Sequence, residues 1–162
     1  MDPFIKEIQH INNVEDAINK LKTQTEISPK LYEIINFIIE AHEGQYRKSG
    51  EPYCVHPILV ASITAHFSKD EAVIVTALLH DVVEDTEYPL DYIAEKWGTD
   101  IAHMVDGLTK IVEIRETEFV TADGASDSKI MSSALTFRKM LIASIDDARV
   151  LIVKLCDRLH NI

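Results

Sequence analysis

One stretch of the chain, TALLHDVVEDTEYP, begins at Thr76 and combines the side-chain types that metal-dependent chemistry needs. It places His80 next to Asp81, and Glu84 and Asp85 follow about one helical turn later. At 100° per residue these four side chains fall within an arc of about 140° on a helical wheel. Imidazole and carboxylate groups both bind divalent metals, so this arc is a candidate metal site.

The residues before and within this arc are mostly apolar, which predicts that the helix is buried. From Ala72 to Val83 the only polar side chains are Thr76, His80 and Asp81. A helix that is apolar nearly all round packs inside the fold, where an unpaired carboxylate costs on the order of several kcal/mol. No Lys or Arg lies on this helix to compensate the charge, so a metal is the economical cation. The alternative is that Glu84 and Asp85 lie in water at the end of the helix.

Other predicted helices carry further candidate ligands in apolar surroundings. His56 is at the start of the third predicted helix, and Asp157 lies in the apolar run RVLIVKLCDRLHNI. Lys154 and Asn161 lie about 60° and 40° from Asp157 on a helical wheel, on the same face. A lone buried histidine or aspartate is often a structural residue with satisfied hydrogen bonds. The joint occurrence of His56, the His80-Asp81 pair and Asp157 favours a metal site.

The remaining histidines lack an acidic neighbour in register or stand among polar residues, so they are not predicted to be ligands. His160 is expected to point away from the face of Asp157. Cys54 stands two residues before His56 but is left out of the ligand set, because carboxylates dominate the other candidates. The histidines set aside are His10, His42, His66, His103 and His160.

The elements that must position these residues are predicted to be helices, about eight in number, in one all-α domain. Asn12 or Asn13 is expected to cap the first predicted helix, Ser28 the second and Thr99 the sixth. Asp70 and Glu71 are expected to lie at the positive end of the dipole of the fourth helix. Residues 113–129 lose the helical periodicity and are predicted to form a long mobile loop. The predicted helices are NNVEDAINKLKT, SPKLYEIINFIIEAHEGQ, HPILVASITAHF, DEAVIVTALLHDVVED, YPLDYIAEKWG, TDIAHMVDGLTKI, IMSSALTFRKMLIAS and DARVLIVKLCDRLHNI.

The bulk composition excludes several classes of protein. The 162 residues suit a single domain, and a hydrophobic content of 46% suffices for a core. The net charge of −11 argues against nonspecific binding to nucleic acid. No apolar run is long enough to span a bilayer, and two cysteines without a signal-like N-terminus predict a cytoplasmic protein. The last helix has no stop signal, so the chain is expected to be cut from a longer one.

The spacing H…HD…D resembles the signature of the HD superfamily of metal-dependent phosphohydrolases. The surrounding text, from about Leu31 to Ile162, resembles the hydrolase domain of bifunctional RelA/SpoT homologues, which make and degrade guanosine tetra- and pentaphosphate. Four blocks carry this resemblance in order: AHEGQYRKSGEPYCVHPILVA, ALLHDVVEDT, WGTDIAHMVDGLTKI and RVLIVKLCDRLHNI.

The resemblance implies removal of the 3′-pyrophosphate from the alarmone, which yields GDP or GTP and pyrophosphate. It also implies a single Mn²⁺ ion and assigns Glu84 and Asp85 to the attacking water. Lys154 is a further candidate for a phosphate contact, although it can equally pair with a nearby acid. By the same resemblance, the metal ligands are His56, His80, Asp81 and Asp157, and the residues near the nucleotide are Arg47, Lys48, Ser49 and Asn161.

Two other functions remain open at this point. The first is a different HD-family nucleotidase or cyclic-nucleotide phosphodiesterase, against which the RKSG motif argues. The second is a regulatory domain that only binds nucleotide, against which the intact pair Glu84 and Asp85 argues. Taken by itself, RKSG is also the composition of an ordinary solvated turn. The family further implies that a synthetase domain and regulatory domains follow in the complete protein.

Overall fold

The computed structural model describes residues 2–109 and 147–161, so the predicted loop at 113–129 and the helix predicted to follow it lie outside the described residues. In the described part the chain is helical and has no β-strand, only an isolated bridge between Tyr46 and Pro52. The all-α fold class is therefore confirmed. The helices are α1 (Pro3–Ile8), α2 (Val14–Gln24), α3 (Pro29–Ala41), α4 (Val55–Phe67), α5 (Glu71–Leu79), α6 (Val82–Asp85), α7 (Leu90–Trp97), α8 (99–109) and α9 (Arg149–His160).

Three helices begin where the sequence predicts, each at a side chain that caps the first turn. The side chains of Asn13 and Ser28 accept hydrogen bonds from the main-chain N–H three residues further on, at 2.9 and 3.2 Å. Asp70 accepts one from the N–H two residues on, at 3.0 Å. These bonds satisfy main-chain donors that have no partner within the helix, which explains why α2, α3 and α5 start at these residues.

Two local predictions need correction. The helix α1 was not predicted, because six residues are too short to display an apolar repeat; it buries Phe4, Ile5 and Ile8. Thr99 is not a cap but the first helical residue of α8. The turn before it is made by Gly98, whose φ of +111° lies in the left-handed region that favours glycine.

The helix predicted to run from Asp70 through Asp85 is interrupted at His80 and Asp81. The helix α5 ends at Leu79, and the single turn α6 starts at Val82. His80 Nδ1 lies 2.6 Å from the carbonyl oxygen of Ala77, three residues earlier. The side chain thus occupies a carbonyl that would otherwise accept a helical hydrogen bond. The interruption leaves the two polar residues at a bend between two helices.

The helices α4 and α5 form the centre of the core. Every residue from Val55 to Ala65 is buried, as is every residue from Val73 to Leu79. The hydroxyl groups inside these helices donate to carbonyls of their own helix, as Thr64 does to Val60 at 2.8 Å. The helix α4 packs against α2, α5 and α9, and α5 also contacts α3 and α9. Polar residues at the ends of α4 and α5 are therefore held by a rigid apolar layer.

Arg149 fixes the start of α9 against this layer. Its guanidinium lies 3.5 Å from Asp70 at the start of α5, 3.1 Å from Asp100 in α8 and 2.7 Å from Asp147. The hydrogen bond to Asp147 and the neighbouring acids hold the pKa of Arg149 above its ordinary value. The helix that carries Lys154, Asp157 and Asn161 is thus tied to two others by an ion-pair network.

Candidate metal centre and active site

Three separate elements bring the predicted ligands together. His56 is the second residue of α4, His80 directly follows the last residue of α5, and Asp157 lies within α9. His56 Nε2 is 2.7 Å from Asp157 Oδ1, and His80 Nε2 is 3.4 Å from the same oxygen. One ligand atom from each of these residues lies within 4.8 Å of the other two. This group of side chains is therefore compact enough to surround a single ion.

The hydrogen bonding of His80 leaves one ring nitrogen free to bind a metal. Because its Nδ1 faces the Ala77 carbonyl, which can only accept, the proton must be on Nδ1. In the neutral ring Nε2 then carries the lone pair, and this atom is buried without a hydrogen-bond partner. This nitrogen is also 3.0 Å from Asp81 Oδ2, although it does not form a hydrogen bond with it. A buried lone pair beside two carboxylates fits a divalent cation.

The electrostatics of the cluster favour a positive charge at its centre. Burial disfavours the imidazolium of His80, but the charges of Asp81 and Asp157 outweigh it, so its pKa is raised well above the ordinary value. Burial lowers the pKa of His56 more than the carboxylates raise it. Although burial opposes it, the histidines hold the pKa of both aspartates below the usual range. A proton on His80 or a divalent metal supplies the charge that these carboxylates require.

Asp81 is the fourth predicted ligand, and its position depends on a tyrosine that the sequence did not single out. Asp81 Oδ2 is 3.8 Å from His56 Nε2, in addition to its contact with His80. The hydroxyl of Tyr53 donates to this same oxygen at 2.8 Å. Burial, followed by the charge of Asp81, raises the pKa of Tyr53 well above its usual range, so the phenol remains a donor.

Glu84 and Asp85 lie beside this cluster in the single turn α6, with exposed side chains. A small open cleft lined by His80, Asp81, Glu84, Leu108, Lys154 and Asp157 connects the cluster to solvent. Partial desolvation and the charge of Asp81 raise the pKa of both Glu84 and Asp85. A raised pKa makes a carboxylate a better proton acceptor near neutral pH.

In the RKSG loop, Arg47 contacts residues of the cluster, whereas Lys48 and Ser49 lie at the surface. The guanidinium of Arg47 donates to the Asn161 side-chain oxygen at 2.5 Å and lies 3.4 Å from His56 Nδ1. Lys48 and Ser49 are exposed, and the Ser49 hydroxyl donates to Glu51 at 2.8 Å. The main-chain N–H of Arg47 donates to the carbonyl of Glu51, and that of Gly50 donates to the carbonyl of Arg47, each at 2.9 Å. Gly50 permits this turn with a φ of +100°.

The end of α9 contributes more to the site than the sequence analysis predicted. Lys154 lies 3.3 Å from Asp157 Oδ2, so it pairs with an acid of the cluster. The expectation that His160 points away from Asp157 is wrong, because three residues advance a helix by 300° and leave only about 60° between the two side chains. His160 Nδ1 is 2.6 Å from His56 Nδ1 and 3.1 Å from Arg47. Burial, His56 and Arg47 lower the pKa of His160 to about 3.

His42, set aside above, is buried but lies outside the group of ligand atoms. Its Nδ1 is 2.9 Å from Gln45 Oε1, and its ring packs 5.0 Å from that of Tyr53. Gln45 in turn donates to the carbonyl oxygen of Asp85 at 2.6 Å. These residues support the loop and α6 from behind.

No helix in the part of the chain that is described is both long and apolar enough to cross a membrane.

In this all-α domain, histidines and aspartates meet where three helices join. This arrangement makes the protein a candidate metal-dependent hydrolase. Comparison with protein families agrees with this class, since the family model described as the HD domain matches residues 35–162. The chain therefore belongs to the HD domain family.

Curated relatives extend this result. Over 122 residues, or 75% of this chain, it is 48% identical to the GTP pyrophosphokinase of Myxococcus xanthus. Over the same length it is 43% identical to a Haemophilus influenzae protein named guanosine-3′,5′-bis(diphosphate) 3′-pyrophosphohydrolase. A Borreliella burgdorferi protein of that same name is 34% identical and covers 96% of the chain. The chain spans only 15%, 16% and 23% of the length of these three proteins.

Proposed function

We propose that this domain removes the 3′-pyrophosphate of guanosine tetraphosphate or pentaphosphate in a reaction that depends on Mn²⁺. The observation that carries the proposal is the convergence of His56, His80 and Asp157, with ligand atoms within 4.8 Å of one another, beside a cleft lined by Glu84. The names of the Haemophilus and Borreliella relatives supply the substrate. The Myxococcus relative is named as a pyrophosphokinase, but this chain spans only 15% of its length. That name therefore describes a much larger protein.

The residues that would hold the metal are His56 and His80 through Nε2, and Asp81 and Asp157 through their carboxylates. The two carboxylates supply the oxygen ligands that Mn²⁺ prefers, and the two imidazoles complete a set suited to a divalent metal. When bound, such an ion lowers the pKa of a water molecule and polarises the phosphoryl group. The protein holds the ligands ready: Ala77 orients His80, and α4 and α5 bury both rings.

Glu84 accepts the proton of the attacking water in this proposal, and Asp85 orients that water. The oxygen of water adds to the phosphorus attached to the ribose 3′-oxygen, and the bond between that phosphorus and the 3′-oxygen breaks. The 3′-oxygen leaves with a proton, which gives GDP or GTP and pyrophosphate. The raised pKa of Glu84 supports its role, because proton transfer is most effective when the pKa of the base approaches the working pH.

Binding of a highly anionic nucleotide requires local cations, because the chain carries a net charge of −11. Arg47, Lys48 and Lys154 are the cations proposed for this role. The planar guanidinium of Arg47 can stack on a guanine ring, while the lysines offer point charges to phosphate. Ser49 and Asn161 complete the proposed nucleotide contacts. Since Arg47 already bonds to Asn161, nucleotide entry would exchange this contact for a ligand contact.

A panel of nucleotides tests this proposal against the alternatives. The protein is incubated with MnCl₂ and guanosine tetraphosphate, GTP, a deoxynucleoside triphosphate or a cyclic dinucleotide, and the products are separated by ion-exchange chromatography. The proposal predicts pyrophosphate and GDP from guanosine tetraphosphate, and little turnover of the other substrates. Preference for a deoxynucleotide or cyclic dinucleotide would assign the domain to another HD-family activity. Binding without turnover of any substrate would make it a regulatory domain.

In the cell, we propose that the domain belongs to a larger cytoplasmic protein that degrades alarmones during the stringent response. The small share of each relative that the chain spans supports a multidomain protein, in which a synthetase domain and regulatory domains follow. Immunoblotting of the native protein in cell fractions, with an antibody against this domain, measures both size and location. A membrane-bound protein, or one no longer than this domain, would contradict this part of the proposal.

A further inference from the structure

In the described structure, the side chain of Tyr53 points at the cluster of candidate metal ligands without being a candidate ligand itself. Its hydroxyl donates to Asp81 Oδ2 at 2.8 Å. That oxygen is the one that faces the histidine nitrogens, at 3.0 Å from His80 and 3.8 Å from His56. A carboxylate oxygen has two lone pairs, so one can accept from Tyr53 while the other remains directed at the centre of the cluster.

The position of the Tyr53 ring is set by the main chain and by packing rather than by Asp81. The main-chain N–H of Tyr53 donates to Gln45 at 2.9 Å, and its carbonyl accepts from His56 at 3.0 Å. The ring lies 5.0 Å from that of His42 and 6.1 Å from that of His56. Because the ring is held independently, its hydroxyl is a fixed point against which the Asp81 carboxylate can be oriented.

Asp81 needs such a fixed point, because the backbone around it is irregular. It lies at the bend between α5 and α6, where the regular helical hydrogen bonds are interrupted. The other carboxylate in the cluster, Asp157, belongs to a continuous helix, α9.

We propose that Tyr53 is a positioning residue that sets the orientation of Asp81 for metal binding through its hydroxyl group. The inference rests on the metal site proposed above and extends it to a residue outside the ligand set. Outer hydrogen bonds of this kind orient ligands, and their loss typically weakens metal affinity by about 10- to 100-fold. Removing one phenolic oxygen leaves the ring and its packing in place, so the effect isolates the hydrogen bond.

The experiment compares Tyr53→Phe with Tyr46→Phe in the 162-residue chain. Tyr46 is a matched control, because it lies on the same loop with its side chain 66% exposed. Free Mn²⁺ is followed by its electron paramagnetic resonance signal during titration with protein. The expected dissociation constant for Tyr53→Phe is at least about tenfold above that of the unchanged chain. For Tyr46→Phe it is expected to stay within about twofold, since an exposed hydroxyl orients no ligand.

Repeating Tyr53→Phe in an Asp81→Ala background separates positioning from general structural support. If Tyr53 acts through Asp81, its hydroxyl has no further effect once that carboxylate is removed. An unchanged Mn²⁺ affinity in Tyr53→Phe, or an equal loss of affinity in both backgrounds, would overturn the inference. Absence of Mn²⁺ binding by the unchanged chain would instead refute the proposed metal site, so the two failures are distinguishable.

Discussion

Replacing Asp157 by Asn is expected to remove most of the stabilisation that Mn²⁺ gives to the fold. The substitution keeps the size of the side chain but removes the negative charge that faces His56 at 2.7 Å and His80 at 3.4 Å. Asp157 is the part of the cluster contributed by α9, while the histidines belong to α4 and α5. A metal bound by all three therefore joins three helices and stabilises the folded state by mass action.

The magnitude follows from the change in affinity. At a Mn²⁺ concentration of about 100 times the dissociation constant, binding stabilises the fold by roughly 2.7 kcal/mol. Loss of a direct ligand is expected to weaken binding by at least about 100-fold, as much as the largest effects of outer hydrogen bonds. The same Mn²⁺ concentration would then stabilise the variant by only about 0.4 kcal/mol. For a domain of this size, Mn²⁺ is then expected to raise the Tm of the unchanged chain by about 5–11 °C and that of Asp157→Asn by about 1–2 °C.

Differential scanning calorimetry with and without MnCl₂ measures both shifts. Each variant is compared with itself, so any loss of stability in the metal-free protein cancels. Asp91→Asn is the control, because it removes the same charge from an exposed aspartate in the first turn of α7. It should retain the full Mn²⁺ shift. If Asp157→Asn gained as much stability from Mn²⁺ as the unchanged chain, Asp157 would not be a ligand.

Three further predictions concern the base, the proton balance and a helix cap. Glu84→Gln should lower kcat by about 10²- to 10⁴-fold, measured by pyrophosphate release. Its Mn²⁺ affinity, measured by metal titration, should not change. An unchanged kcat would exclude Glu84 as the base. Because the pKa of His80 is raised, metal binding must release its proton, so Mn²⁺ affinity should fall about tenfold from pH 7 to pH 6 in calorimetric titrations. Constant affinity over that range would contradict this proton balance. Asp70→Ala should lower the free energy of unfolding by about 1 kcal/mol in urea denaturation, because it removes the cap of α5. An unchanged free energy of unfolding would show that the cap does not stabilise the fold.

The fold class was predictable because helices have strong local signals. Caps such as Ser28 and Asp70 lie next to clear apolar repeats, and they mark the observed starts of α3 and α5. The bend at His80 was not predictable, since it depends on a side chain taking the carbonyl of Ala77. The wheel drawn through Asp85 as one regular helix was therefore only approximate.

The candidate ligands could be selected from the sequence because each is a charged or polar residue in an apolar run. That argument works for His56, His80 and Asp157, whose surroundings predict burial. It does not reach Tyr53, whose partner Asp81 is 28 positions away and whose aromatic ring suits a loop as well as a site. His160 was within reach of the sequence, because its spacing from Asp157 places both on one side of a helix.

The central claim is that the His-Asp cluster releases pyrophosphate from the 3′ position of guanosine tetraphosphate. The most direct measurement follows the reaction by ³¹P nuclear magnetic resonance with purified protein, Mn²⁺ and guanosine tetraphosphate, beside Asp157→Asn and a sample with chelator. The account predicts equal amounts of pyrophosphate and GDP with the unchanged protein, and neither product in the other two samples. Equal release by Asp157→Asn, or release of inorganic phosphate in place of pyrophosphate, would contradict it.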